Sequence, residues 1–295
     1  MAITAAMVKE LRERTGVGMM ECKTALVEAN GDIEAAIEAM RKSGQARAAK
    51  KSGRIAAEGV VVIHITADQK HGVLVEINCE TDFVGKDAGF VAFAEAVTAT
   101  ALASTATDVE TLVTLPLATD PATTVSAARE ALIAKIGENI QVRRLLRFES
   151  ATGALHSYRH GVRIGVVVDM EGGDATLGRD IAMHVAASNP LCLSAEQVPA
   201  ETLEKEKEIF RAQALDSGKK PEIVDKMIDG RMRKYLEEVT LLGQPFVKDP
   251  EQSVEKLVKQ AGAKVLAFAR VEVGEGIEKK TENFAEEVMA QVRGS

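Results

Sequence analysis

Laid 93 positions further along the chain, residues 72–93, GVLVEINCETDFVGKDAGFVAF, fall without a gap on residues 165–186, GVVVDMEGGDATLGRDIAMHVA. Five positions are identical: Gly72/Gly165, Val73/Val166, Val75/Val168, Gly85/Gly178 and Asp87/Asp180. Glu76/Asp169, Val84/Leu177, Lys86/Arg179 and Phe90/Met183 are conservative. Each copy reads as an apolar strand, a loop, a glycine, a basic residue, an Asp cap and a helix. A chain that carries such a unit twice must bury two equivalent sheet faces. The repeat therefore predicts an α+β fold with two pseudo-equivalent sheet-plus-helix subdomains.

The two copies differ at one corner. The first has Asp82 and Phe83 where the second has Ala175 and Thr176, in a chain that is only 3% aromatic. A Phe there either plugs the core locally or is presented to something else. In the first case Thr81 or Asp82 caps the next helical turn and Phe83 staples against the helix through Phe90. The second copy keeps the glycine, the basic residue and the Asp without the acid and the aromatic. Asp82 and Phe83 therefore read as presented outward by a scaffold that does not need them.

The rest of the chain falls into segments around this pair. Residues 1–46 read as three short helices: Met7, Val8 and Leu11 stripe the first, and Met19, Cys22, Leu26 and Ala29 point inward from the second. Asp32 caps the third, and Gly16, Asn30-Gly31 and Gly44 serve as stops. So small a unit has little core of its own and suits recognition better than catalysis. RKSGQARAAKKSGR, residues 41–54, holds six basic residues and no acidic one; it is either a helix tail with a solvated linker or a contact for an acidic surface. Strand-like periodicity begins at Ile55, and residues 104–124 are the least readable stretch. Residues 195–240 read as two charged amphipathic helices around DSGKKP, striped by Leu203, Ile209 and Phe210 and by Ile223, Met227, Met232, Leu236 and Val239. Arms of about 20 residues project roughly 30 Å and leave an outer face for a partner or a second copy. The expected organisation is a helical module with basic linker (1–54), core subdomains (55–144, and 145–194 plus 241–274), the hairpin (195–240) and a C-terminal helical module (275–295).

Bulk properties exclude several classes. A length of 295 residues supports two or three cores, and a formal charge of −7 argues against a general nucleic-acid coat. No apolar run approaches the ~20 residues of a membrane helix, and the N-terminus lacks the apolar region of a signal peptide. Cys22, Cys79 and Cys192 are odd in number and far apart, which fits a reducing compartment; the chain is expected to be cytoplasmic. No GxxxxGK[ST] loop occurs, and the GxG at Gly16 and Gly18 lacks a preceding strand. His64, His71, His156, His160 and His184 show no metal spacing with the cysteines. Cys79 beside Glu80 has no nucleophile signature. No catalytic residue, metal or cofactor is expected.

VKELRERTGVGMMECKTAL, NCETDFVGKDAGF, KIGENIQVRR, IAMHVAASNP, GQPFV and VEVGEGIEK occur in this order across essentially the whole chain. Together they resemble the bacterial translation elongation factor Ts family. The resemblance implies a guanine-nucleotide exchange factor for elongation factor Tu, in its GDP-bound and nucleotide-free forms. It implies a ubiquitin-associated-like N-terminal module that docks through Arg12, Met19 and Met20. Thr81, Asp82, Phe83 and Val84 match the segment that dislodges the partner's magnesium, with the Phe83 ring as a wedge. Ile136 and Gly137 match a further contact, and His160 matches a histidine that meets another domain of the partner. The hairpin corresponds to a coiled-coil module that can mediate self-association. Neither direct nucleic-acid nor membrane binding is implied. Two other readings stay open. A ubiquitin-associated-like adaptor or RNA-associated scaffold would keep its activity in residues 1–54, and an enzyme would lose turnover on Cys79→Ala.

Overall fold

The structure, a computed structural model, describes residues 3–15, 17–216 and 221–278. It opens with helices α1 (Ala5–Thr15), α2 (Met19–Glu28) and α3 (Ile33–Lys51). Asp32 caps α3 by accepting Ala35 N at 3.0 Å, and Val8, Leu11, Cys22, Leu26 and Ala36 close a small core. Two expectations change here. Met19 is exposed rather than inward. Helix α3 does not stop at Gly44 but continues to Lys51, so most of the basic run is helix. The cause is tertiary: Gly44 is buried where α3 passes Ala134, and a Cβ on it would make only an ordinary contact with that methyl at 3.6 Å, so packing carries the helix past the glycine. Gly16 lies outside the described residues.

The first sheet starts with the antiparallel pair β1 (Glu58–Ile65) and β2 (His71–Cys79). Then follow α4 (Asp82–Gly85), α5 (Ala88–Ala103), α6 (Val109–Thr114), β3 (Pro116–Leu117), β4 (Asp120–Thr124), α7 (Val125–Ile136) and β5 (Gln141–Glu149). Strand β5 returns beside β2, giving the order β1-β2-β5. The second sheet is built from β6 (Ala154–His160), β7 (Ile164–Glu171) and, much later, β10 (Lys264–Glu272), in the order β10-β7-β6. Between them come α8 (Ala175–Ser188), α9 (Ala200–Asp216), α10 (Pro221–Val239), β8 (Pro245–Phe246), β9 (Asp249–Ser253) and α11 (Val254–Gln260).

The duplication extends further than the repeated segment. Hairpin β3–β4 leads through α7 to β5, and hairpin β8–β9 leads through α11 to β10. The pairings correspond: Pro116 opposes Thr124 and Leu117 opposes Asp120, as Pro245 opposes Ser253 and Phe246 opposes Asp249. Thr124 and Ser253 cap the two following helices alike. The unreadable stretch is thus α6 and a small hairpin with a counterpart in the other half.

Strand alternation divides each sheet into two buried faces. Val60, Val62, Val73, Val75 and Ile77 meet Phe90, Phe93 and Val97 of α5 and Ile133 of α7. Val166, Val168 and Met170 meet Ile181 and Val185 of α8. The alternate residues Val61, Leu74, Leu155, Val167 and Val271 form a third cluster between the sheets.

At the corner the copies diverge, which corrects the shared Asp cap. In the second copy α8 is continuous from Ala175; Asp174 caps it by accepting Leu177 N at 2.8 Å, and Asp180 lies inside it. In the first copy Asp87 does cap α5, accepting Gly89 N at 2.9 Å and Phe90 N at 3.0 Å, and the corner is a separate turn, α4. Gly89 stands where the second copy has Ala182, a difference of about 1 kcal/mol in helix propensity.

Helices α9 and α10 form an antiparallel hairpin. Phe210 meets Tyr235 edge-on at 6.4 Å and Arg231 lies 5.5 Å over the Phe210 ring. Ala214, Val224, Ile228 and Met232 continue the seam. Of the expected stripe, Phe210 and Met232 lie in this seam whereas Ile209 is exposed, and the Ile223 side chain, the 217–220 connection, the last helix and the closing Arg-Gly-Ser lie outside the described residues.

Candidate functional site

The corner between β2 and α5 is held by its ends and exposed at its middle. Thr81 caps α4, its Oγ1 accepting Val84 N at 3.4 Å. Behind it the Cys79 thiol donates to Thr81 O at 3.1 Å. Val84 packs against the first core, and Gly85 is buried beside the main chain of Gly59 and the Cys79 sulfur. Between these anchors Phe83 is 80% exposed, more than any other large apolar side chain of the described residues. The staple against Phe90 does not form, because Phe83 is turned out to solvent while Phe90 is fully buried in the core. Asp82 Oδ2 accepts from Lys86 Nζ at 2.7 Å, and this bond holds its carboxyl below the usual carboxylate range. At neutral pH the turn carries an ionised acid and a free phenyl ring side by side.

The KIGENI segment closes on this corner from the far end of α7. Gly137 takes φ 89°, the left-handed conformation that ends a helix at little cost to glycine. This turns Glu138 toward the corner, where its carboxylate accepts Glu80 N at 3.1 Å, Thr81 N at 3.0 Å and Thr81 Oγ1 at 2.7 Å. Glu80 Oε1 in turn accepts Asn139 N at 2.6 Å and lies 3.5 Å from an Arg54 guanidinium nitrogen. Asn139 Nδ2 donates to Arg54 O at 2.7 Å, and Lys51 Nζ donates to Gly137 O. The end of the basic run, the α7 terminus and the corner are therefore one hydrogen-bonded unit.

The structure thus brings Thr81, Asp82, Phe83 and Val84 together with Ile136 and Gly137. The other expected residues sit elsewhere. Arg12 is exposed on α1, and Met19 and Met20 are 48% and 72% exposed at the start of α2. His160 is exposed at the end of β6, its Nδ1 lying 3.3 Å from the Tyr158 hydroxyl. No hydrogen bond or ion pair among the described residues joins these positions to the corner. The sequence does not single out Glu138, and Glu80 enters only as the neighbour of Cys79. The signal available was a polar Gly-Glu-Asn stop between a helix and a strand, inside a motif already noted.

Cys79 at this corner is fully buried, its thiol held on Thr81 O. Burial, reinforced by the charges of Glu138 and Glu58, pushes its thiol up to about 12, so the nucleophilic thiolate is scarce at neutral pH. Cys22, Cys79 and Cys192 are all free. Among the described residues no group of three or more His, Cys, Asp or Glu is placed to hold a metal, and no helix is long and apolar enough to cross a membrane. What the arrangement can do is mechanical and electrostatic: insert a ring into an apolar slot and set a carboxylate beside it.

A family model described as Elongation factor TS matches residues 80–275. Among curated proteins, an Elongation factor Ts of Thioalkalivibrio sulfidiphilus is 60% identical over 296 residues, covering 100% of both chains. That of Methylococcus capsulatus is also 60% identical, over 295 residues and 100% of both chains. That of Legionella pneumophila (strain Paris) is 56% identical over 99% of both chains.

Proposed function

The chain belongs to the elongation factor Ts family, and from that premise we propose that it is a guanine-nucleotide exchange factor acting on elongation factor Tu in the cytoplasm. It binds the GDP-loaded partner, displaces its magnesium and promotes GDP release. The observation that carries this reading is Phe83, 80% exposed on a turn anchored on both sides. A large apolar ring gains free energy by leaving water, so a held and exposed one favours insertion into another surface. Asp82 and Phe83 make the intrusion, while Thr81 and Val84 fix the turn that carries them. Arg12, Met19 and Met20 supply a second docking surface, Ile136 and Gly137 extend the first, and His160 supplies a third.

Magnesium bridges the nucleotide phosphates and the partner's own ligands, so displacing it loosens both. An exchange factor prefers the nucleotide-free partner, and by linkage nucleotide weakens its binding by the same factor. Release and reloading both accelerate, with no change in the equilibrium between the GDP and GTP forms. The role forms and breaks no covalent bond and needs no nucleotide site on this chain.

The test follows release of fluorescent GDP from elongation factor Tu. Wild type is expected to accelerate release strongly. The Asp82→Ala/Phe83→Ala double variant is expected to lose about 10- to 100-fold of that rate, or ~1.4–2.8 kcal/mol of transition-state stabilisation, with an unchanged circular dichroism spectrum. A double variant as fast as wild type would falsify the wedge assignment.

A further inference from the structure

Phe83 points into solvent, so its direction is set only by the backbone of α4. A four-residue helix cannot hold itself, because its nucleation cost exceeds what so few hydrogen bonds return. Something outside the turn must define it. The Glu138 carboxylate is placed to do so: it accepts the main-chain N–H groups of Glu80 and Thr81, at 3.1 and 3.0 Å, through Oε2 and the Thr81 hydroxyl through Oε1 at 2.7 Å. Because the Thr81 hydroxyl donates to Glu138, its lone pairs are turned toward Val84 N, the side-chain cap of α4. One carboxylate thus fixes both the chain entering the turn and the hydroxyl that caps it. Charge-assisted bonds of this kind are the stronger class.

We propose that Glu138 is a positioning residue for exchange: it holds the 80–84 turn in its contact-ready form in the free protein, so that Phe83 is presented before the partner arrives. The benefit is preorganisation, since ordering a loop during binding would subtract from the binding free energy. Its consequence for nucleotide release rests on the exchange reading above. The positioning itself is a property of the free chain. It also joins two contact segments, because Glu138 follows Ile136 and Gly137 directly in sequence.

Amide hydrogen exchange on the free, full-length protein tests the positioning. In Glu138→Ala the Glu80 and Thr81 amides are expected to exchange at least about tenfold faster, with the Val75 and Ile77 amides unchanged as a control for the fold. Glu138→Gln keeps one acceptor oxygen and is expected to fall between. Unchanged Glu80 and Thr81 rates in Glu138→Ala overturn the proposal, whatever the exchange activity. The second arm is a double-mutant cycle on GDP release with Glu138→Ala and Phe83→Ala. Glu138→Ala is expected to slow stimulated release about tenfold in the wild-type background and less than about twofold in the Phe83→Ala background. An undiminished effect without the ring shows that Glu138 does not act through Phe83, and overturns that link. If wild type itself gives no acceleration, the exchange reading fails, and the amide rates still decide whether Glu138 holds the corner.

Discussion

Gly85 and Gly178 occupy the same place in the repeat and meet different neighbours. A Cβ on Gly178 would lie 2.2 Å from His156 Cγ, inside the imidazole that covers the first turns of α8. A Cβ on Gly85 would meet nothing closer than Gly59 O at 3.6 Å. Gly178→Ala is therefore expected to cost about 1–3 kcal/mol through forced displacement, net of the ~1 kcal/mol that alanine gains in a helix. Gly85→Ala is expected to stay within about 0.5 kcal/mol. Urea unfolding of the two variants against wild type checks both values. The repeat made both glycines visible but not their neighbours, because the ring over Gly178 comes from another strand. The same distance hid Glu138, which is 57 residues from Thr81 and obeys no local period. Phe83 was legible because a missing counterpart in the second copy is a purely local sign.

Elements were readable wherever their own pattern fixed them, and misplaced where tertiary contacts decided. The strand-like periodicity from Ile55 gave β1 and the repeated segment gave β2 and β7, and the hairpin followed from its charge and length. The hairpin seam kept Phe210 and Met232 but took Val224 and Ile228 rather than Ile209, because a sparse stripe leaves the facing residues undetermined until two helices meet. Its attachment to the second half is a polar junction that no periodicity marks. The His184 ring, fully buried in α8, accepts Val247 N on Nδ1 at 3.1 Å, which leaves Nε2–H to donate to Gln244 Oε1 at 2.9 Å. Gln244 Nε2 then donates to Glu238 O near the end of α10, at 2.7 Å. The Val247 N–H requires an unprotonated Nδ1 and hence the neutral ring, and burial lowers the His184 pKa despite the opposing Gln244 bond. Burial lowers that of His156 as well. A histidine depressed in the folded state takes up its proton more readily when unfolded. Its stabilising share is thus complete above the ordinary value of ~6.5 and is lost as pH falls below it. The urea midpoint of wild type is expected to drop between pH 7.5 and pH 5.5. His184→Gln is expected to start lower at pH 7.5 and drop less. Equal drops in the two proteins would remove His184 as the source.

At the scale of the whole molecule, the second half of the duplication escaped the sequence because the hairpin is inserted within it and changes the offset. Its packing logic nevertheless lies in the repeat's first identical pair. Gly72 and Gly165 stand where the two sheets cross. A Cβ on Gly165 would fall 2.4 Å from Val61 Cγ1, whereas one on Gly72 would come to 3.1 Å from Leu155 Cδ1. Val61 N also donates to Val162 O at 2.8 Å, so the main chains of the two sheets are bonded beside this crossing. Sheets packed face to face interdigitate side chains from both faces, and a glycine on one lets a branched residue on the other seat fully. Val61 is wholly buried and its χ1 is stiff, so it cannot turn away from an added methyl, while at Gly72 the nearest atom stands at 3.1 rather than 2.4 Å and needs only a small shift. Gly165→Ala is accordingly expected to destabilise by about 1–3 kcal/mol, and Gly72→Ala by less. The decisive comparison places Gly165→Ala in a Val61→Ala background. Removing Cγ1 vacates the space the new methyl needs, so most of the Gly165→Ala cost should disappear there, as non-additivity in a chemical-denaturation cycle. If the cost is the same in both backgrounds, the two sheets are not set by this contact, and the spacing between the halves must come from elsewhere in their shared core.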